Sequence, residues 1–206
     1  MATKSNRIAS KYAMARSTEN APGSLHEHIK SRWSPREFAA RPVEPGKLNT
    51  LFEAARWAAS CFNEQPWRFV IATQAEPESY ARVLGLLMEK NQQWAKTAWA
   101  IGFSAGKKTF TASGAPNRFA LHDTGAATAN LAIQATALGL HAHFMGGFDA
   151  PRARAEFHVP DDFEIGAAFA IGYIDEDVTI PGARKRKGVE EIVFAGVWGT
   201  PALNAE

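Results

Sequence analysis

The segment from Thr124 to Leu140, T-G-A-A-T-A-N-L-A-I-Q-A-T-A-L-G-L, has no broad polar face. Alanine and other small or apolar residues recur on nearly every side, the pattern of a helix that other elements approach closely from several directions. It carries Asn130, Gln134 and three threonines, and it falls short of the roughly 20 strongly apolar residues that a membrane span needs. A chain containing such a helix has to be built around it. We therefore expect a buried central helix and no membrane association.

Helical and extended patterns alternate along the rest of the chain. Helices are expected near 24–32, 45–58, 77–90, 119–139 and 150–157, with Pro45 and Pro151 acceptable in their first turns. Strand candidates are 67–73, 99–104, 141–145 and 167–174, each short, apolar or β-branched and bounded by Gly, Pro or Asp. Intermingled elements of this kind favour a three-layer sandwich with a mixed sheet. Residues 105–118 contain several turn formers and little periodicity, so they read as an exposed, mobile excursion that borders a substrate pocket. Residues 1–23 read as a flexible polar tail without the apolar core of a secretory signal, and 24–206 as one domain.

Charge and cysteine usage narrow the function classes. With 23 basic and 21 acidic residues the net charge is +2, which argues against a nucleic-acid-coating surface. Cys61 is the sole cysteine, so no intrachain disulfide forms, in keeping with a reducing cytoplasm. No G-x-G-x-x-G follows a strand, which excludes a tightly held dinucleotide on a Rossmann unit. His141 and His143 share a strand face, but no nearby Cys or Glu completes a metal site, and solvent-facing or partner-facing histidines are expected.

The densest cluster of ligand-binding groups lies at residues 56–69, R-W-A-A-S-C-F-N-E-Q-P-W-R-F. Between a helix and a strand it offers lightly shielded backbone N–H groups at Ala59 and Ser60, a hydroxyl at Ser60, a thiol at Cys61, and the amides of Asn63 and Gln65. Such a set suits a planar heteroaromatic with alternating donors and acceptors. An ordinary polar turn with Asn63 as a cap would use the same residues.

This loop resembles the flavin-contacting loop of the FMN-dependent nitroreductase family, in which a small P-S-S/A segment precedes N-x-Q-P-W-x-F. R-W-S-P-R-E-F at residues 32–38 is similar to the family's R-x-S-x-[RK]-x-F. Asn91, the block beginning D-T-G-A-A at Asp123, G-G-F-D at 146–149, I-G-Y at 171–173 and R-K-R-K-G-V-E-E-I-V at 184–193 follow in family order. The resemblance implies an α+β fold, a three-layer α/β/α sandwich with a mixed, mostly antiparallel sheet, and a homodimer with the alanine-rich helix at its core. It implies bound FMN, a transient NAD(P)H co-substrate, and ping-pong reduction of a nitroaromatic, quinone or other electron-poor small molecule.

Residue by residue, the resemblance assigns Arg32 and Arg186 to the FMN phosphate, with Arg184 close behind, and Arg36 to the ring. A phosphomonoester carries close to two negative charges, and a guanidinium meets two of its oxygens with a planar fork. Trp33 and Ser34 belong to the same set. Gly146 and Gly147 would present a backbone N–H to flavin N5, and Asn91 would face the pyrimidine edge. Ser60, Cys61 and Asn63 would reach the flavin of the other subunit. The chain departs from the pattern at Ala59, where the family has proline, and at Trp94, where some members have lysine. The cofactor carries the chemistry, so no catalytic side chain is assigned, and Cys61 is given no redox role. Dehalogenation, azoline oxidation, activated-alkene reduction and flavin binding without turnover remain alternatives.

Overall fold

A computed structural model describes residues 25–178 and 184–202. The tail expected at 1–23 lies outside the described residues. The chain divides into two units, Met1–Glu176 and Asp177–Glu206.

The first unit is organised by a four-stranded sheet. Its strands are β1 (Trp67–Thr73), β2 (Ala100–Lys107), β3 (His141–Met145) and β4 (Phe163–Gly172), in the order β1-β2-β4-β3. A mixed, mostly antiparallel sheet was the expectation, and among the described residues every strand pair is antiparallel. The connections explain this. A single long helix between β1 and β2 would cross to the far end of the sheet and make them parallel. Instead two short helices, Pro77–Leu84 and Glu89–Ala95, bring the chain back to the end it left.

The helix expected at 77–90 is therefore broken. Its first part ends at Gly85, and Leu86 and Leu87 turn into the core. The backbone there bonds outside any helix: Met88 N–H donates to Gly147 O and Asp149 N–H donates to Leu86 O. Burial of two leucines and pairing with the 146–149 loop win over continued helix, for which glycine is a poor residue.

In chain order we label the helices α1 (Glu27–Ser31), α2 (Pro45–Arg56), α3 (Pro77–Leu84), α4 (Glu89–Ala95), α5 (Ala120–Ala137) and α6 (Ala150–Glu156). They form two layers. On one face α2 and α5 pack on Trp67, Ala100, Ala142, Phe169 and Ile171. On the other, α3, α4 and α6 pack on Ala72, Ile101, Phe103, Met145, Ala168 and Ala170. The alternation of Ala168, Phe169, Ala170 and Ile171 between the two cores is the period-2 signature of a sheet covered on both sides.

Helix α5 buries Ala120, Thr124, Ala127, Leu131 and Ala135, one stripe at three- and four-residue spacing. Gly125, Ala129 and Ala137 are exposed in the single chain, so burial on all sides is not achieved within it. Close packing begins at Gly106, where a Cβ would lie 2.8 Å from both Ala120 O and Thr124 Oγ1. That glycine serves helix approach, not a turn. The excursion expected at 105–118 accordingly begins inside β2, with Ala105 and Gly106 buried, and its one continuous exposed run is 111–116.

In the second unit, residues 184–187 are exposed, Val189–Glu191 forms a 3-10 turn, and Phe194 bridges Pro201. Gly188 N–H donates to Glu191 Oε1 at 2.8 Å.

Candidate functional site

Residues 32–38 are fastened to β3 and α4. His143 Nδ1 donates to Pro35 O at 2.7 Å, which fixes its tautomer because a carbonyl only accepts. Phe38 N–H donates to Thr97 Oγ1 at 3.3 Å, and Ala39 N–H to Tyr173 O at 2.8 Å. Trp33 meets His141 edge-on at 5.7 Å between ring centroids, and Trp94 covers His143 at 4.4 Å. His141 is only 4% exposed and His143 half-buried, which corrects the expectation that they face solvent or a partner. The segment containing Trp33 and Pro35 lies against β3 and covers them.

Within this segment Arg32 Nη1 donates to Ser34 Oγ at 3.4 Å, and Arg36 is exposed. The indole N–H of Trp33 is buried without a hydrogen-bonding partner. Buried polar groups are nearly always paired, so this donor is an exception within the segment.

Asn91 and Gly147 form a second contact set. Gly147 O accepts from Met88 N–H at 3.0 Å and from Asn91 Nδ2 at 2.9 Å. A Cβ on Gly147 would come within 2.7 Å of that amide nitrogen, whereas one on Gly146 would meet nothing within 4 Å. Phe148 N–H donates to Gly146 O at 3.1 Å. These contacts use the carbonyls of both glycines and leave their N–H groups to other partners. Because α4 carries both Asn91 and Trp94, the 32–38 segment, β3 and the 146–147 loop meet around one helix.

The 59–65 loop is held by different groups. Ser60 Oγ accepts from Gln65 N–H at 3.0 Å, and Cys61 N–H donates to Asp123 Oδ2 at 2.9 Å. Asp123 is buried in the first turn of α5, where the helix dipole favours a carboxylate, and its Oδ1 accepts from His122 Nδ1 at 2.9 Å. Phe62, Asn63 and Gln65 have φ of 53°, 56° and 51°. This left-handed region costs a non-glycine residue about 1–2 kcal/mol, less for asparagine.

Glu64 supplies the compensating anchor: its carboxylate accepts from Thr111 N–H at 3.0 Å and from Thr111 Oγ1 at 2.5 Å. The Thr111 hydroxyl bond, and then its N–H, hold the Glu64 carboxyl below the ordinary range. Ala59 and Asn63 are exposed, while Cys61 is half-buried and free. Asp123, Glu64 and Thr111 were not singled out from the sequence. The one available signal was an acidic residue opening an otherwise apolar helix.

Two strands separate β1, which the 59–65 loop enters, from β3, which leads into Gly146 and Gly147. At about 4.8 Å per spacing the two edge strands run about 14 Å apart. The candidates thus fall into two groups on the first unit: Arg32, Trp33, Ser34, Arg36, Asn91, Gly146 and Gly147 in one, and Ala59, Ser60, Cys61, Asn63 and Gln65 in the other. Arg184 and Arg186 belong to the second unit, where Arg186 Nη1 donates to Arg184 O at 3.1 Å.

An antiparallel sheet between two helical layers, with polar and cationic groups collected beside an edge strand and an open glycine loop, defines an α+β protein. The chain belongs to the nitroreductase family and is an oxidoreductase: the profile of the Nitroreductase family matches residues 29–173. It is 36% identical over 138 residues to an uncharacterized 15.4 kDa protein of Mycolicibacterium smegmatis encoded in the ask 5' region, covering 62% of this chain and 89% of that one. The crystal structure of an oxidoreductase containing FMN superimposes with a TM-score of 0.79 at 34% identity, covering 88% of this chain and 96% of the other. A nitroreductase family protein of Clostridium difficile 630 gives 0.68 at 26% identity, covering 84% and 99%. Among the described residues no helix is long and apolar enough to cross a membrane.

Proposed function

We propose that this chain is an FMN-dependent oxidoreductase that takes reducing equivalents from NAD(P)H and delivers them to nitroaromatic, quinone or similar electron-poor acceptors. The observation that carries the reading is the likeness to an FMN-containing oxidoreductase, together with Arg32 and Ser34, whose side chains meet at 3.4 Å in the 32–38 segment. The residues present fit FMN: cationic and hydroxyl groups side by side at Arg32 and Ser34, and a glycine loop whose carbonyls, not its N–H groups, take the hydrogen bonds described above, with open space at Gly146. When bound, FMN supplies two-electron transfer between a nicotinamide and an acceptor that use the same place in turn.

The chain's own groups bind, orient and tune. Arg32 and Ser34 hold the phosphate end, and Arg184 and Arg186 are proposed as its further ligands on the match of their block to the family. Arg36 places positive charge beside the ring, where it favours the reduced anion. Asn91, its amide nitrogen committed to Gly147 O at 2.9 Å, keeps its carbonyl oxygen for the pyrimidine edge. The backbone N–H groups of Gly146 and Gly147 face the redox-active part of the ring. No side chain has to move a proton.

The site is completed by a second copy. The Ser60, Cys61 and Asn63 group stands two strands away from the Asn91 and Gly147 group, a separation that supports its reaching the flavin of the other copy. The exposed Gly125, Ala129 and Ala137 of α5, beside a groove lined by Thr50, Ala54, Trp57, Asn130 and Ile133, give a second copy a surface of small residues to close on.

The purified protein should be yellow and release FMN, not FAD. Anaerobic NADPH or NADH should bleach it, and a quinone should restore the colour. Protein that stays colourless with added FMN would end the reading, and bound flavin that neither nicotinamide bleaches would make it a carrier.

A further inference from the structure

Phe62 combines two features that stability alone disfavours. Its backbone is left-handed, with φ 53° and ψ 24°, a region that a residue with a bulky side chain enters under strain. Its ring is 89% exposed, although burial of a phenyl group is favourable. The strained position is nonetheless fixed from three sides, through Asp123 to Cys61, Ser60 to Gln65, and Glu64 to Thr111. The last contact carries with it the turn closed by the Thr109 and Pro116 bridge. That turn sets Phe110, half-buried, edge-on to Phe62 at 5.7 Å and 77°.

We propose that Phe62 and Phe110 form an aromatic wall that selects planar aromatic acceptors over compact inorganic oxidants. The inference rests on the flavin reading above and concerns the acceptor at that same site. Phe62 lies among Ser60, Cys61, Asn63 and Gln65, so an acceptor held there meets its open ring. Phe110 fixes the plane of that ring. A phenyl face is electron-rich, and an electron-poor nitroarene or quinone presents the complementary quadrupole. Ferricyanide has no ring to stack.

The test uses the full chain loaded with FMN and saturated with NADPH, with 4-nitrobenzamide and ferricyanide as alternative acceptors. Phe62→Ala should raise the KM for nitrobenzamide about tenfold, the loss of one aromatic contact. Loss of a contact made equally before and during reaction leaves kcat within about twofold. The ferricyanide KM should not move, Phe62→Trp should restore the nitrobenzamide value, and Phe110→Ala should raise it to a lesser degree. An unchanged nitrobenzamide KM in yellow Phe62→Ala protein overturns this inference alone, as does an equal rise for both acceptors. Dissociation of the Phe62→Ala protein into monomers overturns it by making Phe62 a subunit contact. Failure of the unaltered chain to take up FMN overturns both this inference and the reading beneath it.

Discussion

The backbone N–H of Cys61 donates to the buried carboxylate of Asp123, 62 positions further along the chain, at 2.9 Å. This bond ties the 59–65 loop to the first turn of the central helix α5. Asp123→Ala leaves the Cys61 N–H to seek another acceptor, and the loss of a hydrogen bond to a buried charged group costs about 1.5–3 kcal/mol. Urea unfolding should show that loss, and the freed Cys61 thiol should react faster with a thiol reagent. Unchanged stability and thiol reactivity together would refute the anchoring role.

The Glu64 and Thr111 contact makes part of the stability depend on pH. Hydrogen bonds from the Thr111 hydroxyl and N–H lower the carboxyl's folded-state value. A lowered value in the folded state means stabilisation that is present above the ordinary glutamate value of about 4.3 and lost as pH falls through the lowered one. The unaltered chain should therefore melt higher than Glu64→Gln at pH 7, and the gap should narrow in acid. A gap that widens on acidification would reverse the assignment.

Gly146 and Gly147 should respond differently to one added methyl group. At Gly147 the Cβ would lie 2.7 Å from Asn91 Nδ2 and 3.4 Å from Met88 Sδ, while at Gly146 it meets open space. Overpacking of this kind costs about 1–3 kcal/mol. Thermal unfolding of the apoprotein should find Gly147→Ala destabilised and Gly146→Ala close to the unaltered chain. The reverse order would contradict the packing described around Asn91.

Charge deletion tests the proposed phosphate ligands. One charge-assisted hydrogen bond corresponds to about 1.5–3 kcal/mol, so Arg186→Ala should weaken FMN binding roughly ten- to a hundredfold. Riboflavin, which lacks the phosphate, should bind as before. Lys187→Ala serves as the control for general loss of positive charge. If Arg186→Ala weakened riboflavin equally, or Lys187→Ala did more damage, the register proposed for residues 184–187 would be wrong.

Local pattern was enough for β1 and β3, whose observed spans of Trp67–Thr73 and His141–Met145 match the expected 67–73 and 141–145. Apolar and β-branched runs between Gly, Pro and Asp specify strands without help from distant residues. The ordered blocks from Arg32 onward likewise carried the family. Tertiary structure decided what no neighbouring residue encodes. It broke the helix at Gly85, because Leu86 and Leu87 gain burial and Met88 N–H finds Gly147 O. It started β4 at Phe163 instead of 167, because β2 runs on to Lys107 and offers a partner there. It covered His141 with Trp33, more than a hundred positions away in sequence. The left-handed turn at Phe62, Asn63 and Gln65 is the clearest case. Left-handed backbone is unfavourable locally in a non-glycine residue, and it persists here because Asp123 and Thr111, both remote in sequence, fasten the loop at either end.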